Sequence, residues 1–142
     1  MELKINNLPN LESLFCRDNG FKKLTLTGAP GLKYLDCSKN SLTTLDLSAT
    51  PNLQKLRCGD NLLTSLALTN TPNLILLDCS NNALTALDTS VTPKLEELHC
   101  TENTLTSLMV SGNKNLTHLH CFNNNLKALD LKGLNSLKFL RC

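Results

Sequence analysis

The segment His118-Leu119-His120-Cys121, which precedes three asparagines, contains residue types that bind metal ions. Imidazole nitrogens and cysteine thiolates are the usual zinc ligands in proteins, and here three of them fall within four consecutive residues. They can share one ion only if their side chains point to the same side of the backbone. The chemistry of the segment therefore depends on the elements that position it.

Length and composition limit the classes of protein to which this chain can belong. Its 142 residues suit one domain, and its net charge of +2 comes from 14 basic and 12 acidic residues without a long basic run. This balance argues against a nucleic-acid partner and against a membrane surface. No apolar stretch is long enough to cross a bilayer, and the N-terminus lacks the apolar centre of a signal peptide. We therefore expect either a cytosolic protein or a segment cut from a longer precursor.

The seven cysteines follow one another at intervals of 21 residues. Disulfide frameworks and zinc fingers do not have so regular a spacing, whereas solenoid proteins do. The cysteines are Cys16, Cys37, Cys58, Cys79, Cys100, Cys121 and Cys142.

Leucine and asparagine share this period. Leucine occurs five and two residues before each cysteine, asparagine three residues after every cysteine except the last, and an apolar residue five and eight residues after it. The resulting pattern, LxxLxCxxNxLxxLxL, is the leucine-rich repeat signature. It predicts one mainly β solenoid over 1–142, composed of a half repeat at 1–10 and then 21-residue repeats.

Alternation of side chains predicts the walls of this solenoid. In Leu-x-Cys the leucine and the cysteine face inward and the middle residue faces outward, in a parallel sheet formed by successive repeats. A second Leu-x-Leu alternation predicts short strands or 3₁₀ turns on the opposite wall, with low overall curvature. It is found at 24–26, 45–47, 66–68 and 129–131. The prolines share one phase and mark the turn back to the first sheet, at Pro9, Pro30, Pro51, Pro72 and Pro93.

The repeated polar residues are interpreted as structural. The asparagine amides can bind backbone groups that a tight bend leaves unpaired. Stacked inward thiols lie about 4.8 Å apart, slightly too far for relaxed disulfides, so we predict reduced, buried cysteines.

Units such as LKYLDCSKNSLTTLDLS at 32–48 resemble the cysteine-containing leucine-rich repeats of internalin J and related bacterial surface proteins. The resemblance covers nearly the whole chain. It implies a secreted or wall-anchored bacterial protein that binds a host protein or other macromolecule and has no enzymatic activity. The sequence differs from that family in lacking a helical cap, an immunoglobulin-like domain and an anchor. We therefore expect end-to-end self-association through the uncapped ends and Cys142, and a truncated or designed scaffold without a natural ligand remains an alternative.

Function on such a scaffold is expected at outward positions of the strands and just after them. Four of the five aromatic residues and all three histidines occupy these positions. Aromatic side chains flanked by charged ones are typical of recognition surfaces. The alternative is a plain sheet face in which Asp36, Arg57 and Asp78 form cross-strand ion pairs. The predicted binding residues are Tyr34, Asp36, Arg57, Asp78, His99, His118, His120 and Phe122.

These positions favour a protein-interaction or adhesion module, with a carbohydrate-binding surface as the alternative. No cofactor is predicted, and an open sheet with inward cysteines offers no cleft for catalysis. The opening segment divides between the two faces, because Cys121 points inward and His118 and His120 point outward. His99 lies one strand from His120, about 4.8 Å away. The three histidines, with Glu97 beside His118, therefore form a weak candidate for an exposed metal site.

Overall fold

The computed structural model describes all 142 residues as a stack of short parallel strands and turns without helices. The principal sheet has seven parallel strands, which pair in the order β11-β10-β8-β6-β5-β4-β2. Each strand pairs with the one 21 residues away, as Tyr34 does with Lys55. The strands of this sheet are β2 (Ser13–Phe15), β4 (Tyr34–Asp36), β5 (Lys55–Arg57), β6 (Leu76–Asp78), β8 (Glu97–His99), β10 (His118–His120) and β11 (Phe139–Arg141).

The opposite wall is only partly strand. Two separate two-stranded sheets pair β1 with β3 and β7 with β9. Their strands are β1 (Glu2–Lys4), β3 (Lys23–Thr25), β7 (Ala86–Asp88) and β9 (Ser107–Met109).

The predicted strands on this wall therefore need correction. The segments 45–47, 66–68 and 129–131 form no strand, and the strand predicted at 24–26 is β3, which covers Lys23–Thr25. No 3₁₀ helix is present either. Side chains still alternate between inward and outward positions where no strands pair. Leu45 and Leu47 are buried, and Asp46 between them is exposed. Periodicity of side chains fixes which way they point, whereas a ladder also requires neighbouring backbones to meet in register.

The core is one cluster of 32 buried apolar residues that runs through the stack, from Ile5 to Leu134. Leucines two residues before the central cysteines are fully enclosed, as at Leu56 and Leu77. Six cysteines belong to the same interior, and all seven are free thiols. The fold class and the buried cysteine ladder predicted from the sequence are thus confirmed.

Asparagine amides close the bend after every principal strand except β11. Asn61 donates through Nδ2 to the carbonyls of Cys37, Cys58 and Gly59 at 3.1, 3.1 and 3.2 Å. Its Oδ1 accepts the Leu42 N–H at 3.0 Å. One buried side chain thus joins two successive repeats, as the structural interpretation of the asparagines predicted.

Candidate functional site

The outward side of the principal sheet, with the residue that follows each cysteine, forms a surface that we call the strand face. The alternation that buries leucine and cysteine leaves two outward residues on each strand. They flank the buried leucine, as Tyr34 and Asp36 flank Leu35. All eight predicted binding residues lie on the strand face. Seven are in strands β4, β5, β6, β8 and β10, and Phe122 follows Cys121, two residues after β10 ends.

The histidines separate into a pair and a single residue. The rings of His99 and His120 lie edge to face, with centroids 4.6 Å apart. His118 instead stacks on Phe139 at 4.4 Å, and its Nδ1 lies 2.9 Å from Thr117 Oγ1. The three imidazoles do not converge, and no group of three or more His, Cys, Asp or Glu residues is arranged to hold a metal ion. Cys121 is buried on the other side of the sheet, as the sequence predicted.

The electrostatic surroundings of the pair favour a neutral His120. Partial burial is the main cause that lowers the pKa of His120 below its usual value, and the charges of His99, Arg141 and His118 add to it. Glu97 acts in the opposite direction. The Glu97 carboxylate lies 3.9 Å from His99 Nε2, which makes a marginal ion pair when that imidazole is protonated. His120 therefore takes up a proton less readily than an isolated imidazole does.

Asp36, Arg57 and Asp78 occupy neighbouring positions of three adjacent strands. They do not form the cross-strand ion pairs that the alternative interpretation required, since none of the salt bridges in the structure involves them. The carboxylate of Asp36 instead accepts hydrogen bonds from the N–H and hydroxyl groups of Ser38, and that of Asp78 accepts one from the Ser80 N–H. The carboxylates thus stabilise the turns that follow their own strands.

Aromatic side chains are unevenly exposed along the strand face. Phe15 is 71% exposed and Phe122 is 38% exposed, while Tyr34 is half-buried. The Lys55 ammonium group lies 5.7 Å from the centre of the Tyr34 ring, a cation–π distance. Phe15 and Lys55 were not among the predicted binding residues, although their places in the outward columns could have identified them.

The buried thiols are poor nucleophiles and poor metal ligands. Burial raises the pKa of Cys16 and of Cys121 to about 11, and it raises the pKa of Cys58 and Cys79 further. These groups stay protonated at neutral pH, so they lack the thiolate that nucleophilic or metal chemistry requires. Cys142 is a free thiol too, but it is exposed rather than buried.

A buried polar network on the opposite wall was not predicted. Threonine hydroxyls donate to the carbonyl three residues earlier, as Thr50 does to Leu47 at 3.0 Å. In the same column Asn113 replaces threonine, accepts the Thr89 hydroxyl and donates to the Thr89 and Thr92 carbonyls. All of these side chains are satisfied, and they serve the fold rather than a site.

Comparison with known proteins places the chain in its family. The family model described as Leucine Rich repeats (2 copies) matches residues 30–70. The functional domain of InlJ from Listeria monocytogenes, which includes a cysteine ladder, is 35% identical over 99% of this chain with a TM-score of 0.95. This chain is a leucine-rich repeat solenoid of the internalin J-like, cysteine-ladder type.

Two other solved structures resemble the cysteine-ladder solenoid less closely. YopM from Yersinia enterocolitica is 27% identical, with a TM-score of 0.73 over 99% of this chain. TLR13 in complex with a single-stranded RNA is 28% identical, with a TM-score of 0.80 over 94% of this chain. No curated protein sequence matches the solenoid.

The solenoid spans only a fraction of these proteins. It covers 31% of the InlJ chain, 34% of the YopM chain and 22% of the TLR13 chain. Leucine-rich repeat proteins are generally binding scaffolds without enzymatic activity, and these neighbours support a protein-interaction module. No helix in the solenoid meets the length and hydropathy that a membrane span requires.

Proposed function

We propose that this solenoid is an adhesion module of a bacterial surface or secreted protein, and that it binds a protein partner through its strand face. The proposal rests on the observation that the repeats vary mainly at their outward positions. The inward columns repeat leucine, cysteine and asparagine almost without change, whereas the outward columns differ from strand to strand. Packing explains the constant columns, and recognition explains a varied, partly aromatic face.

The variable face is also broad and open. It extends across adjacent parallel strands from Tyr34 to Phe122 and contains Arg57, Asp78 and the His99–His120 pair. A partner that covers it would contact several strands at once, which suits a macromolecule better than a small substrate. The resemblance to internalin J supports a place at the bacterial surface or outside the cell.

Site-specific photo-crosslinking tests the binding face. We expect a benzoylphenylalanine in place of Tyr34 or His99 to crosslink a defined protein, while the same group at Ala67 or Met109 on the opposite wall does not. The recovered protein should then bind in purified form, and Arg57→Ala or His99→Ala should weaken that binding. Equal crosslinking from both walls, or unchanged affinity of both variants, would contradict the proposal.

The exposed aromatic residues favour a second candidate, a carbohydrate ligand. Sugars stack on aromatic rings, and Phe122 offers one that is partly exposed. Binding to a glycan array that is lost in Tyr34→Ala or Phe122→Ala, without any protein crosslinked from the strand face, would favour this candidate.

The proposed location needs its own measurement. An antibody raised against the solenoid should label intact cells of the source organism, or should detect the protein in their culture medium. Labelling that appears only after the cells are permeabilised would argue against a surface or secreted protein.

A further inference from the structure

Arg57 has hydrogen-bond donors that nothing in the solenoid uses. It is exposed on β5, next to the middle strand of the sheet, and no carboxylate oxygen lies within salt-bridge distance of its guanidinium group. Its two nearest acidic neighbours, Asp36 and Asp78, direct their acceptors to Ser38 and Ser80. The planar fork of an arginine matches a carboxylate in two parallel hydrogen bonds, and that match is unfilled here.

A second cation and two aromatic rings lie beside Arg57. Lys55, on the same strand, also has no carboxylate partner, and its ammonium group lies near the Tyr34 ring. Phe15 pairs in register with Asp36, which in turn pairs with Arg57, so the highly exposed ring is two strands from the guanidinium group. Together they enclose a shallow depression of about 40 Å³, lined by Phe15, Tyr34, Leu35, Asp36, Lys55 and Arg57.

We propose that this depression, the Arg57 pocket, binds an acidic segment of the protein partner in which a carboxylate side chain adjoins an aromatic or large apolar one. The inference rests on the proposed function and names the chemistry of the partner at one place on the strand face. The carboxylate pairs with Arg57 and Lys55. The apolar neighbour packs on Phe15 and on the exposed edge of Tyr34.

Charge around the pocket favours separate carboxylates over a continuous polyanion. Asp36 and Asp78 lie on the strands on either side of Arg57, and Glu97 lies one strand further. A nucleic acid carries one negative charge on each nucleotide and would bring phosphates against these carboxylates. The repulsion between them disfavours a nucleic acid as the ligand. A protein segment can place its carboxylates singly and leave neutral residues opposite the aspartates.

Synthetic peptides test the pocket directly. The probe is a fluorescein-labelled peptide, Gly-Glu-Tyr-Glu-Phe-Glu-Gly, and its matched control has glutamine in place of each glutamate. Fluorescence anisotropy at low salt should show the acidic peptide binding about tenfold more tightly than the control, because its hydrogen bonds to the cations are charge-assisted. Raising the salt concentration should remove most of this difference.

Variants assign the preference to the pocket. We expect Arg57→Ala to reduce the affinity for the acidic peptide about tenfold, and Arg57→Lys to recover only part of it because lysine cannot form the bidentate pair. The matched control is Arg141→Ala, which removes an exposed arginine from the same outward column at the far end of the sheet. Circular dichroism and urea unfolding should show that all three variants are folded.

Equal affinity for the acidic and glutamine peptides would overturn the inference, as would equal losses in Arg57→Ala and Arg141→Ala. An Arg57-dependent preference for an acidic oligosaccharide such as oligogalacturonate over the acidic peptide would overturn the choice of a protein segment. These outcomes differ from failure of the proposed function. If the strand face crosslinks a partner but the peptide does not bind, only the pocket assignment fails, whereas failure of crosslinking contradicts the binding face itself.

Discussion

Single residues in left-handed backbone conformation recur two positions after each of the first six cysteines. They are Asp18, Lys39, Asp60, Asn81, Glu102 and Asn123, with φ between 52° and 58°. Aspartate and asparagine tolerate this region, whereas longer side chains adopt it at a cost. Lys39 and Glu102 are therefore the two members of the column whose residue type does not suit its backbone.

We predict that Lys39→Gly stabilises the solenoid by about 0.5–1 kcal/mol. Glycine removes a steric cost of about 1–2 kcal/mol for a left-handed residue, and the extra freedom of the unfolded chain offsets part of the gain. Urea unfolding should show a higher midpoint. Lys22→Gly is the matched control, since Lys22 is exposed and does not have a positive φ, and it should lower the midpoint. Equal shifts in the two variants would contradict the explanation.

The pKa of His120 is predicted to depend on the charges of its neighbours. Its pKa is lowered by partial burial and by His99, Arg141 and His118, so the folded state disfavours the imidazolium relative to the unfolded chain. Stability should therefore be highest above the unfolded pKa, about 6.5, and fall as the pH drops through the lowered folded value. An NMR titration should give a higher pKa for His120 in His99→Gln, and no change in Thr64→Ala. A His120 pKa unaffected by His99→Gln would contradict this coupling.

The sequence predicted at this scale which residues point outward, but not what they touch. The weak metal-site candidate required His118 to join the other two histidines, yet Phe139 on the next strand offers it a stacking partner. The alternative interpretation paired Asp36 and Asp78 with Arg57, yet their carboxylates bind Ser38 and Ser80, which lie only two residues further along the chain. Outward direction follows from backbone periodicity, whereas the choice among nearby partners depends on rotamers that a repeat pattern does not fix.

At the scale of elements, the asparagine column connects each repeat to the one before it. We predict that Asn61→Ala destabilises the solenoid by about 3 kcal/mol, because a buried N–H and several carbonyls lose their partner. Asn19→Ala should cost about 1 kcal/mol or less, since Asn19 is exposed and donates only to carbonyls of its own repeat. Equilibrium unfolding in urea measures both values. Similar losses of unfolding free energy in the two variants would contradict the explanation that burial and hydrogen bonds between repeats determine how much each asparagine stabilises the solenoid.

The spacing of the repeats predicts strand pairing on the principal sheet but not on the opposite wall. On the principal sheet the backbone ladder continues beyond each strand, as the Cys37 N–H donates to the Arg57 carbonyl at 2.9 Å. On the opposite wall the same leucine spacing gives strands in some repeats and unpaired extended chain in others. The leucines of this wall pack into the core whether or not their repeat forms a strand, so burial does not determine where strands pair. The spacing of leucines in the sequence therefore could not predict which repeats form strands there.

At the scale of the molecule, the interior of each repeat is completed by the repeats on both sides. Leu77, in the middle of the principal sheet, is fully buried, whereas Leu14 near one end of it is half-buried. Solenoids behave approximately as one-dimensional stacks in which each unit is coupled to its neighbours. The stability contributed by one leucine should therefore depend on its place in the stack, although the repeats that contain the two residues are similar.

We predict that Leu77→Ala costs about 2–5 kcal/mol, the range for a buried leucine, while Leu14→Ala costs clearly less. Because coupling passes only between neighbours, Leu77→Ala should also weaken β5, β6 and β8 more than β2. Hydrogen exchange followed by mass spectrometry should show faster exchange first in the segments around residues 55–99, with 13–16 changed least relative to the parent protein. The solenoid would instead be a single cooperative unit if exchange accelerated equally in every repeat. In that case a partner bound at the Arg57 pocket would stabilise distant repeats as strongly as the strands it touches.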